Sequence, residues 1–545
     1  MGKLNINYKK VTEYFQRIAG RFPVTLVLII LTSVIVSVFI DQDGDLGAFM
    51  ESKGIPFLIL WGIGTFFTET LLREKKVWNW GGIIAAGLAA GCLVYLSNYG
   101  TEPGMERTSH WITAYVIVMI TMGVYGNYKK SGLAFNEFCL RVVHELARLG
   151  IICSVTGGGI AMVMAVFVTL LLNGEHYMLI MRAEFLVLGC LTGSGLLNAL
   201  IRMDPKMSRF FTFIVKYLMM VLLLAAFGVI YIYILKIMIT RVVPSNEIFR
   251  ILAGLFIIGL PIWTLAGTFE QDHWLVRIGT KLPYVFIPFL FLQGYAIRER
   301  IVQFGMTPSR YLCLVLMVFE VIYILVYALR KRETGIMLPV TAVLAVISCA
   351  LPFVNMYSTA VRSQKAIFDR YITADFHALP YDDRSRLAGA YYYLAGSEEG
   401  KAAIATAAPE KIEVIKASGV TGFPEYDRNS YIYYDFPVND ADISEFDSMT
   451  MLSTFSFQNE KQPERIDPQK VTFYDSAGKK ILEADISRFI NACISAYAEN
   501  QTDLPDLSTR VLLPDGSILM VYHCGMTVQP ENVISYIDIN GILFK

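Results

Sequence analysis

The stretch Phe210-Phe-Thr-Phe-Ile-Val-Lys-Tyr-Leu-Met-Met-Val-Leu-Leu-Leu-Ala-Ala-Phe-Gly-Val-Ile-Tyr-Ile-Tyr-Ile-Leu-Lys-Ile-Met-Ile239 holds only two charged side chains, Lys216 and Lys236. A helix that spans a bilayer needs about 20 mainly apolar residues. Lipid offers the backbone no hydrogen-bond partners, so such a run is helical even where it is rich in Val, Ile and Thr. This stretch therefore predicts a transmembrane helix.

Similar apolar runs recur through the first 360 or so residues, although several are short for a full span. Together with the quoted stretch they lie at roughly 22–40, 55–72, 80–96, 111–126, 150–172, 178–201, 210–239, 251–269, 283–297, 309–330 and 336–358. The sequence therefore predicts an all-α polytopic transmembrane bundle of about eleven helices, which occupies residues 1–359.

The composition changes after this bundle, and residues 360–545 predict a smaller soluble α+β domain. Strand-like segments follow Pro424, and an amphipathic helix is expected from Ile486 to Ala498. Hairpin turns are expected at Asp515-Gly516 and at Asn540-Gly541, because Asp-Gly and Asn-Gly favour the tight turns of two-residue loops. Polar helices are also expected at 362–371 and 382–393.

Charge is divided unevenly between the two regions. Residues 1–359 hold 30 Lys and Arg against 20 Asp and Glu, whereas residues 360–545 hold 17 against 27. If every run crosses the membrane and the N-terminus is cytoplasmic, the inside segments carry 20 basic residues and the outside loops carry 8. The excess of inside basic residues favours this orientation, which leaves the acidic C-terminal domain outside the cytoplasm.

The ninth run, 283–297, leaves an alternative open. It is short, contains Pro283 and Pro288, and ends in Arg298-Glu-Arg300, whose arginines should prefer the cytoplasm. If this run is re-entrant, the later topology inverts and the C-terminal domain is cytoplasmic. We favour eleven crossings, but charge alone leaves both topologies possible.

Motifs of catalysis or cofactor binding do not emerge from the sequence. The eight cysteines form no C-x-x-C pair, the six histidines form no H-E-x-x-H, and there is no Walker or G-x-S-x-G loop. The basic residues lie at the ends of apolar runs, which argues against nucleic-acid binding. We therefore predict no catalytic residue, metal or cofactor. Cys493 and Cys524 of the C-terminal domain are either two buried thiols or, in an oxidising compartment, a disulfide.

Charged residues inside predicted spans are the first candidates for a functional site, because they are expensive in lipid. Glu320 lies near the centre of the tenth run and could bind a proton or cation, with Lys216 or Arg182 as a partner. The structural alternative is a carboxyl that holds helices together. Arg182, Glu184 and Lys216 are otherwise expected to reach towards the membrane interface.

Two further pairs of charged residues invite simpler interpretations. Glu69 and Arg73 are four residues apart at a helix end, which predicts an ion pair at the membrane interface. His144 and Glu145 lie on an amphipathic segment and are expected to be solvated.

Two stretches resemble a bacterial family of multi-pass membrane proteins, domain of unknown function 4153. One is Phe210-Phe-Thr-Phe-Ile-Val-Lys-Tyr217 with its continuation Tyr231-Ile-Tyr-Ile-Leu-Lys-Ile237 and Pro244; the other is Phe304-Gly-Met-Thr-Pro-Ser-Arg-Tyr-Leu312. Ser363-Gln364 is a weaker third element of the likeness. The resemblance implies a bacterial inner or plasma membrane and implies no reaction.

Two classes of function fit these features. The first is a membrane-anchored binding or sensing protein, in which the bundle carries a domain that meets an envelope protein or lipid. The second is a transporter or channel-like protein, in which Glu320 lies near the path of the proton or substrate. The lipid bilayer is a partner in both, and an enzyme acting on lipids is a more distant third.

Overall fold

A computed structural model describes most of the chain. The described ranges are 8–40, 44–99, 102–171, 177–202, 207–240, 247–269, 273–330, 332–396, 398–405, 408–417, 430–436, 448–454, 466–475, 478–498, 510–529 and 533–545. The chain divides into two compact units. The first comprises Met1–Ala366 and Gly396–Ala403, and the second comprises Ile367–Ala395 and Ile404–Lys545.

The first unit is built from helices. Up to residue 240 they are α1 Tyr8–Arg21, α2 Pro23–Phe39, α3 Asp45–Phe49, α4 Ile55–Leu72, α5 Lys76–Tyr99, α6 Glu102–Ser131, α7 Phe135–Leu171, α8 Met178–Ile201, α9 Arg209–Phe213 and α10 Met219–Thr240. They continue as α11 Glu247–Ala266, α12 Trp274–Gly279, α13 Leu282–Val285, α14 Ile287–Phe304, α15 Pro308–Leu329, α16 Met337–Ala345 and α17 Met356–Tyr371. Single π-helical turns join α3 to α4 and α9 to α10, and one follows α16.

Eight helices of the described residues are long and apolar enough to cross a membrane. They span Asp45–Leu72, Lys76–Ser97, Thr108–Ser131, Phe135–Thr169, Met178–Ile201, Arg209–Ile237, Phe249–Phe269 and Pro308–Leu329. Helices α1 and α2 meet that criterion only as a pair, with a bend of 115° between them, and Met337–Ala350 is a shorter apolar helix. Such a set of apolar helices is typical of a membrane protein, as the sequence predicts.

The bend between α1 and α2 is stabilised by a buried carboxylate from another helix. Pro23 begins α2 without an N–H of its own, so the next free donors are the N–H groups of Val24 and Thr25. Glu69 of α4 accepts both of these bonds, at 2.9 and 3.2 Å, and also accepts from the Thr25 hydroxyl at 2.7 Å. A negative charge at this helix end also favours the helix dipole.

This arrangement corrects the interpretation of Glu69 and Arg73. The Glu69 side chain is 1% exposed. In the part of the chain that the structure describes, its carboxylate bonds to Val24 and Thr25 and forms no ion pair with Arg73. The reason is geometric. The polar groups that need an acceptor inside the bundle are the N–H groups of α2, which lie about 45 positions away in the sequence. Glu69 turns towards them and away from the interface.

We expect Glu69→Ala to destabilise the protein by about 1–3 kcal/mol, because two buried backbone donors lose their acceptor. The thermal unfolding midpoint of the full-length chain in detergent measures this loss. Glu74→Ala is the matched control, since Glu74 is exposed and lies just beyond the same helix. Equal midpoints for the two variants would contradict the capping role.

The second unit is built around an antiparallel sheet. Its strands are β1 Ser430–Asp435, β2 Met449–Ser453, β3 Val471–Tyr474, β4 Lys480–Ala484, β5 Arg510–Leu512, β6 Ile518–Gln529 and β7 Val533–Phe544. They pair in the order β1-β6-β7-β2-β3-β4, and β5 pairs with the N-terminal residues of β6. Its helices are α18 Tyr381–Ala395, α20 Pro409–Ala417 and α21 Ser487–Ala498, and α19 Glu398–Ile404 bridges the division between the units along the chain.

Most of the predicted elements of this unit are confirmed, but one turn is wrong. The Asp515-Gly516 turn joins β5 to β6, and Gly516 has the positive φ of 86° that such a turn requires. By contrast, β7 runs straight through Asn540-Gly541. Gly541 is needed there for close packing, because a Cβ atom would lie 2.9 Å from the Met520 carbonyl oxygen of β6. The glycine marks a close approach of the paired strands β6 and β7 at a register shift.

Candidate functional site

Glu320 lies in the middle of α15 and is fully buried, with 0% of its surface exposed. Its partner is Gln293 of α14, which is equally buried. With the amide oriented to satisfy both neighbours, the Gln293 nitrogen donates to Oε2 of Glu320 at 2.8 Å. The amide oxygen accepts from the backbone N–H of Ala253 in α11 at 3.2 Å. The Gln293 amide therefore connects three helices, α11, α14 and α15.

An aromatic cluster encloses the neighbouring turns of the same helices. Tyr323 lies one turn after Glu320, and its hydroxyl accepts from the Trp263 indole N–H at 2.8 Å. Phe256 packs edge-on against both rings, with centroids 5.6 Å apart in each case. These side chains belong to the largest buried apolar cluster of the first unit. Glu320 thus lies beside densely packed rings, and it forms no ion pair with any described residue.

The other candidate residues of the sequence analysis lie elsewhere. The Lys216 ammonium lies over the rings of Tyr217 and Phe269, 5.7 and 6.0 Å from their centroids. Arg182 donates to the Ile40 carbonyl at the end of α2, at 3.3 Å. Glu184 is half-buried on α8. The structure therefore does not bring Lys216, Arg182 or Glu184 to Glu320, because Arg182 and Glu184 lie near the start of α8 and Lys216 lies in the first part of the span Arg209–Ile237.

Gln293 is the residue of this site that sequence reasoning missed. It lies within the ninth apolar run, 283–297, where a polar amide is a signal of the same kind as a charge. The sequence analysis weighted only charged side chains, so it searched for a cationic partner. An amide satisfies a buried carboxyl in either protonation state, because it offers both a donor and an acceptor.

A second polar arrangement lies at the loop between α14 and α15. Gly305 has a φ of 71°, which allows the chain to reverse there. Arg310 donates from Nη1 to the carbonyls of Phe304 and Gly305, at 3.2 and 2.7 Å. The Thr307 hydroxyl caps the start of α15 by accepting from the Arg310 N–H. Side chains of the loop and of α15 therefore provide hydrogen-bond partners for only some of the loop's backbone groups.

Two residues of α17 supply the remaining bonds, and we name this set of contacts the 304–307 clamp. The Ser363 hydroxyl accepts from the Met306 N–H at 2.8 Å. Gln364 is buried and donates from Nε2 to the carbonyls of Phe304 and Met306, at 3.1 and 2.9 Å. The clamp thus joins α17 to the helical hairpin α14–α15, which carries Gln293 and Glu320.

The clamp also joins two of the stretches that carry the family resemblance. Phe304-Gly-Met-Thr-Pro-Ser-Arg-Tyr-Leu312 forms the loop and the first turn of α15, and Ser363-Gln364 holds that loop. These two short motifs are far apart in the sequence, and the hydrogen bonds between them give both a common structural role.

The expectation that His144 and Glu145 are solvated is wrong. Their exposed fractions are 4% and 7%. Glu145 pairs with Arg148 at 3.0 Å, and the His144 Nε2 accepts from the Ser208 N–H at 3.2 Å. This cluster connects α7 to the residue that precedes α9. It provides a partner for the Ser208 N–H group at that helix end and for the buried Glu145 carboxylate, so its role is structural.

In the second unit, Cys493 of α21 and Cys524 of β6 are both fully buried free thiols. A hydrogen bond with the Cys493 thiol, together with burial, raises the pKa of the Cys524 thiol well above its usual range. A thiol that stays protonated is a poor nucleophile, which argues against a reactive cysteine here. Among the described residues, no cluster of His, Cys, Asp and Glu has the arrangement of a metal site.

Compared with models of protein families, with curated proteins and with solved structures, the chain matches none. The resemblance to the family of multi-pass membrane proteins therefore depends on the quoted residues alone, and function has to be argued from geometry.

We expect Ser363→Ala to expose the amide of Met306 to solvent exchange, because the mutation removes the acceptor of that N–H group. Loss of a hydrogen bond worth about 1 kcal/mol corresponds to roughly fivefold faster exchange. Hydrogen–deuterium exchange of peptides that cover 304–311 measures the rate. Gln303→Ala is the control, since Gln303 is exposed next to the same loop. Unchanged exchange in Ser363→Ala would contradict the clamp.

Proposed function

We propose that the protein is a multi-pass protein of a bacterial plasma membrane, in which the helical bundle anchors a C-terminal domain that binds or senses an envelope protein or a lipid. In this proposal the bundle crosses the membrane eleven times. The N-terminus is cytoplasmic and the C-terminal domain lies outside. The observation that carries the proposal is the 304–307 clamp, which fastens the helix leading to the C-terminal domain onto the hairpin that holds Glu320 and Gln293.

Contacts at one end of the bundle support this path of the chain. Arg21 of α1 donates to the Asn127 side chain near the end of α6, at 2.7 Å. The neighbouring Tyr128 donates to Glu333, in the loop after α15, at 2.6 Å. Tyr327, near the end of α15, donates to the Thr280 carbonyl at 2.6 Å. The N-terminal helix, the end of α15 and the segment that precedes α14 therefore share this end.

Contacts at the start of α15 define the opposite end of the bundle. Tyr311 donates to the Val354 carbonyl at 2.7 Å, and Met306 donates to Ser363. Helix α14 leads from Thr280 at one end towards Met306 at the other, and its 18 residues are about 27 Å long. That length approaches the hydrocarbon thickness of about 30 Å. Helix α14 carries Arg298, Glu299 and Arg300 and is not among the eight described helices that could cross by length and composition, so a crossing ninth run is supported here by the contacts at its two ends.

Sensing requires a physical connection between the domain that meets a partner and the membrane part. Helix α17 belongs to the first unit up to residue 366 and enters the second unit from residue 367. Ser363 and Gln364, just before that division, are bonded to the α14–α15 loop. Displacement or rotation of α17 would therefore break specific hydrogen bonds to the hairpin. These bonds form a contiguous route by which the C-terminal domain and the hairpin can be coupled.

The orientation is tested by labelling a single cysteine in intact cells. Pro514→Cys places the thiol at the exposed turn between β5 and β6, in a chain whose eight native cysteines are replaced. We expect labelling by a membrane-impermeant maleimide before lysis. The same reagent should leave Ser131→Cys, at the predicted cytoplasmic end of α6, unlabelled until lysis. Labelling of Pro514→Cys only after lysis would contradict the eleven-crossing orientation.

Proton-coupled transport is a second candidate, and one observation favours it. Glu320 is a fully buried carboxyl within an apolar helix and forms no ion pair among the described residues. Intramembrane carboxyls of this kind serve as proton-binding groups in pumps and transporters. The Gln293 amide would remain its partner whether or not a proton is bound.

Glu320→Gln separates the two candidates, because the amide keeps the shape of the side chain but cannot exchange a proton. A sensing protein is expected to keep its function in this variant, whereas a proton-coupled transporter would lose it. Complementation of a strain that lacks the gene measures function, with membrane insertion checked by immunoblot. Gln364→Ala is the companion variant. Under the sensing proposal it loses function while Gln303→Ala retains it, and full function in Gln364→Ala would contradict that proposal.

A further inference from the structure

Helix α1 lies across one end of the helical bundle. The chain changes direction by 115° between α1 and α2, which is somewhat more than a right angle. Glu69 fixes this bend, because its carboxylate accepts from the first free N–H groups of α2. In the proposed topology α2 crosses the bilayer, so α1 lies close to the plane of the membrane surface. A helix in this position meets lipid headgroups along its length.

One face of α1 is apolar and only partly covered by the bundle. Tyr14, Phe15 and Ile18 share this face with Phe22, because residues three or four positions apart lie on the same side of a helix. Ile18 and Phe22 are fully buried against α2, α4 and α8. Phe15 is 43% exposed. The apolar face is therefore wider than its contact with the bundle, and the Phe15 ring is left for lipid.

The rest of α1 is basic. Its sequence Tyr-Lys-Lys-Val-Thr-Glu-Tyr-Phe-Gln-Arg-Ile-Ala-Gly-Arg contains four basic residues and one acidic residue. Arg17 is exposed, and it directly precedes the buried Ile18, so the two side chains point about 100° apart around the helix. Arg17 therefore lies at the boundary between the apolar and polar faces. From this position a basic side chain of an interfacial helix reaches lipid phosphates.

The helix ends next to α1 add further positive charge. Arg21 donates to Asn127 of α6 at 2.7 Å, and Asn127 donates to the Thr70 hydroxyl of α4 at 3.1 Å, so these two helices end beside α1. Glu13 of α1 and Glu74 after α4 are the exposed acidic residues in the described parts of these segments. Exposed lysines outnumber them at the same helix ends, namely Lys75, Lys76, Lys129 and Lys130.

Two tryptophans indicate the depth of this end in the membrane. Trp78 and Trp80 lie at the start of α5, directly after the exposed lysines of 75–76, and are 71% and 59% exposed. Tryptophan is enriched at the membrane–water interface, because its ring is apolar and its N–H group is polar. The two rings therefore mark the headgroup level at the end of the bundle where α1 lies.

We propose that α1 and the neighbouring lysines form a binding surface for anionic phospholipids of the cytoplasmic leaflet. Phe15 enters the acyl boundary beside the bundle, and Arg17 donates to a lipid phosphate. This inference rests on the proposed function, because it requires α2 to cross the membrane and the N-terminus to be cytoplasmic. Phosphatidylglycerol carries the net negative charge that complements this surface, whereas phosphatidylcholine has no net charge. Each basic residue near an anionic surface favours binding by about fivefold.

Hydrogen–deuterium exchange of the full-length chain in nanodiscs tests the lipid preference. Amides of 12–21 exchange when α1 leaves the surface and unfolds, so a lipid that binds α1 slows their exchange. Several basic residues act together, so we expect exchange to be more than about fivefold slower in phosphatidylglycerol than in phosphatidylcholine. Arg17→Gln should reduce this ratio about fivefold. Arg298→Gln is the matched control, since Arg298 is an exposed arginine on α14, and it should leave the ratio unchanged.

A second measurement tests whether α1 lies in the membrane surface. An environment-sensitive fluorophore is attached to Phe15→Cys or to Gln16→Cys, in a chain whose native cysteines are replaced. Gln16 is the matched control, because it is exposed and lies on the polar face. In phosphatidylglycerol nanodiscs we expect aqueous iodide to quench the label at position 16 and to quench the label at position 15 less.

Three results would overturn this inference. They are equal quenching at the two positions, equal exchange in the two lipids, and an exchange ratio that survives Arg17→Gln. If Phe15→Cys fails to fold, the exchange of the native sequence still decides the lipid preference. Both topologies of the ninth run leave the N-terminus cytoplasmic, so the orientation test at Pro514 can fail while α1 still prefers phosphatidylglycerol. Complementation by Gln364→Ala tests the sensing role and does not depend on the lipid.

Discussion

The structure of the first unit depends on one constraint, the need of every backbone N–H and C=O group that lies among apolar side chains for a hydrogen-bond partner. Continuous helices meet this need by themselves, and breaks in helices do not. The bend before α2 and the loop between α14 and α15 are two such breaks. At the first, Glu69 accepts from the free donors. At the second, Arg310, Ser363 and Gln364 pair with the loop backbone.

This constraint explains why several buried polar residues of the bundle have structural roles. Glu69 caps a helix, and His144 holds the N–H of Ser208 next to α9. Glu320 differs from both, because among the described residues its partner is the Gln293 side chain and no backbone N–H group donates to it. A carboxyl that is not required by the backbone is free to have another purpose. That distinction, more than its burial, makes Glu320 a candidate for proton binding.

The sequence predicted the many apolar helices, because span length and composition are local properties. It predicted about eleven, whereas eight helices of the described residues are long and apolar enough to cross a membrane. It also identified Glu320, since a charge within an apolar run is visible without a structure. It failed where partners are distant in the chain. Glu69 was assigned to Arg73 by helical spacing, although its partners are the N–H groups of α2. The Asn540-Gly541 turn was wrong for a related reason, because the space that requires Gly541 is defined by the neighbouring strand.

Helix α17 is the element in which the structural and functional arguments meet. Arg362 donates to the carbonyl of Phe353, whose φ of 68° is strained for an aromatic residue, while the next two residues bond to the α14–α15 loop. Because these three residues are consecutive on one helix, a displacement of α17 changes the bonds of Arg362, Ser363 and Gln364 together. A short polar segment therefore satisfies two breaks in the helical backbone, the strained turn at Phe353 and the α14–α15 loop.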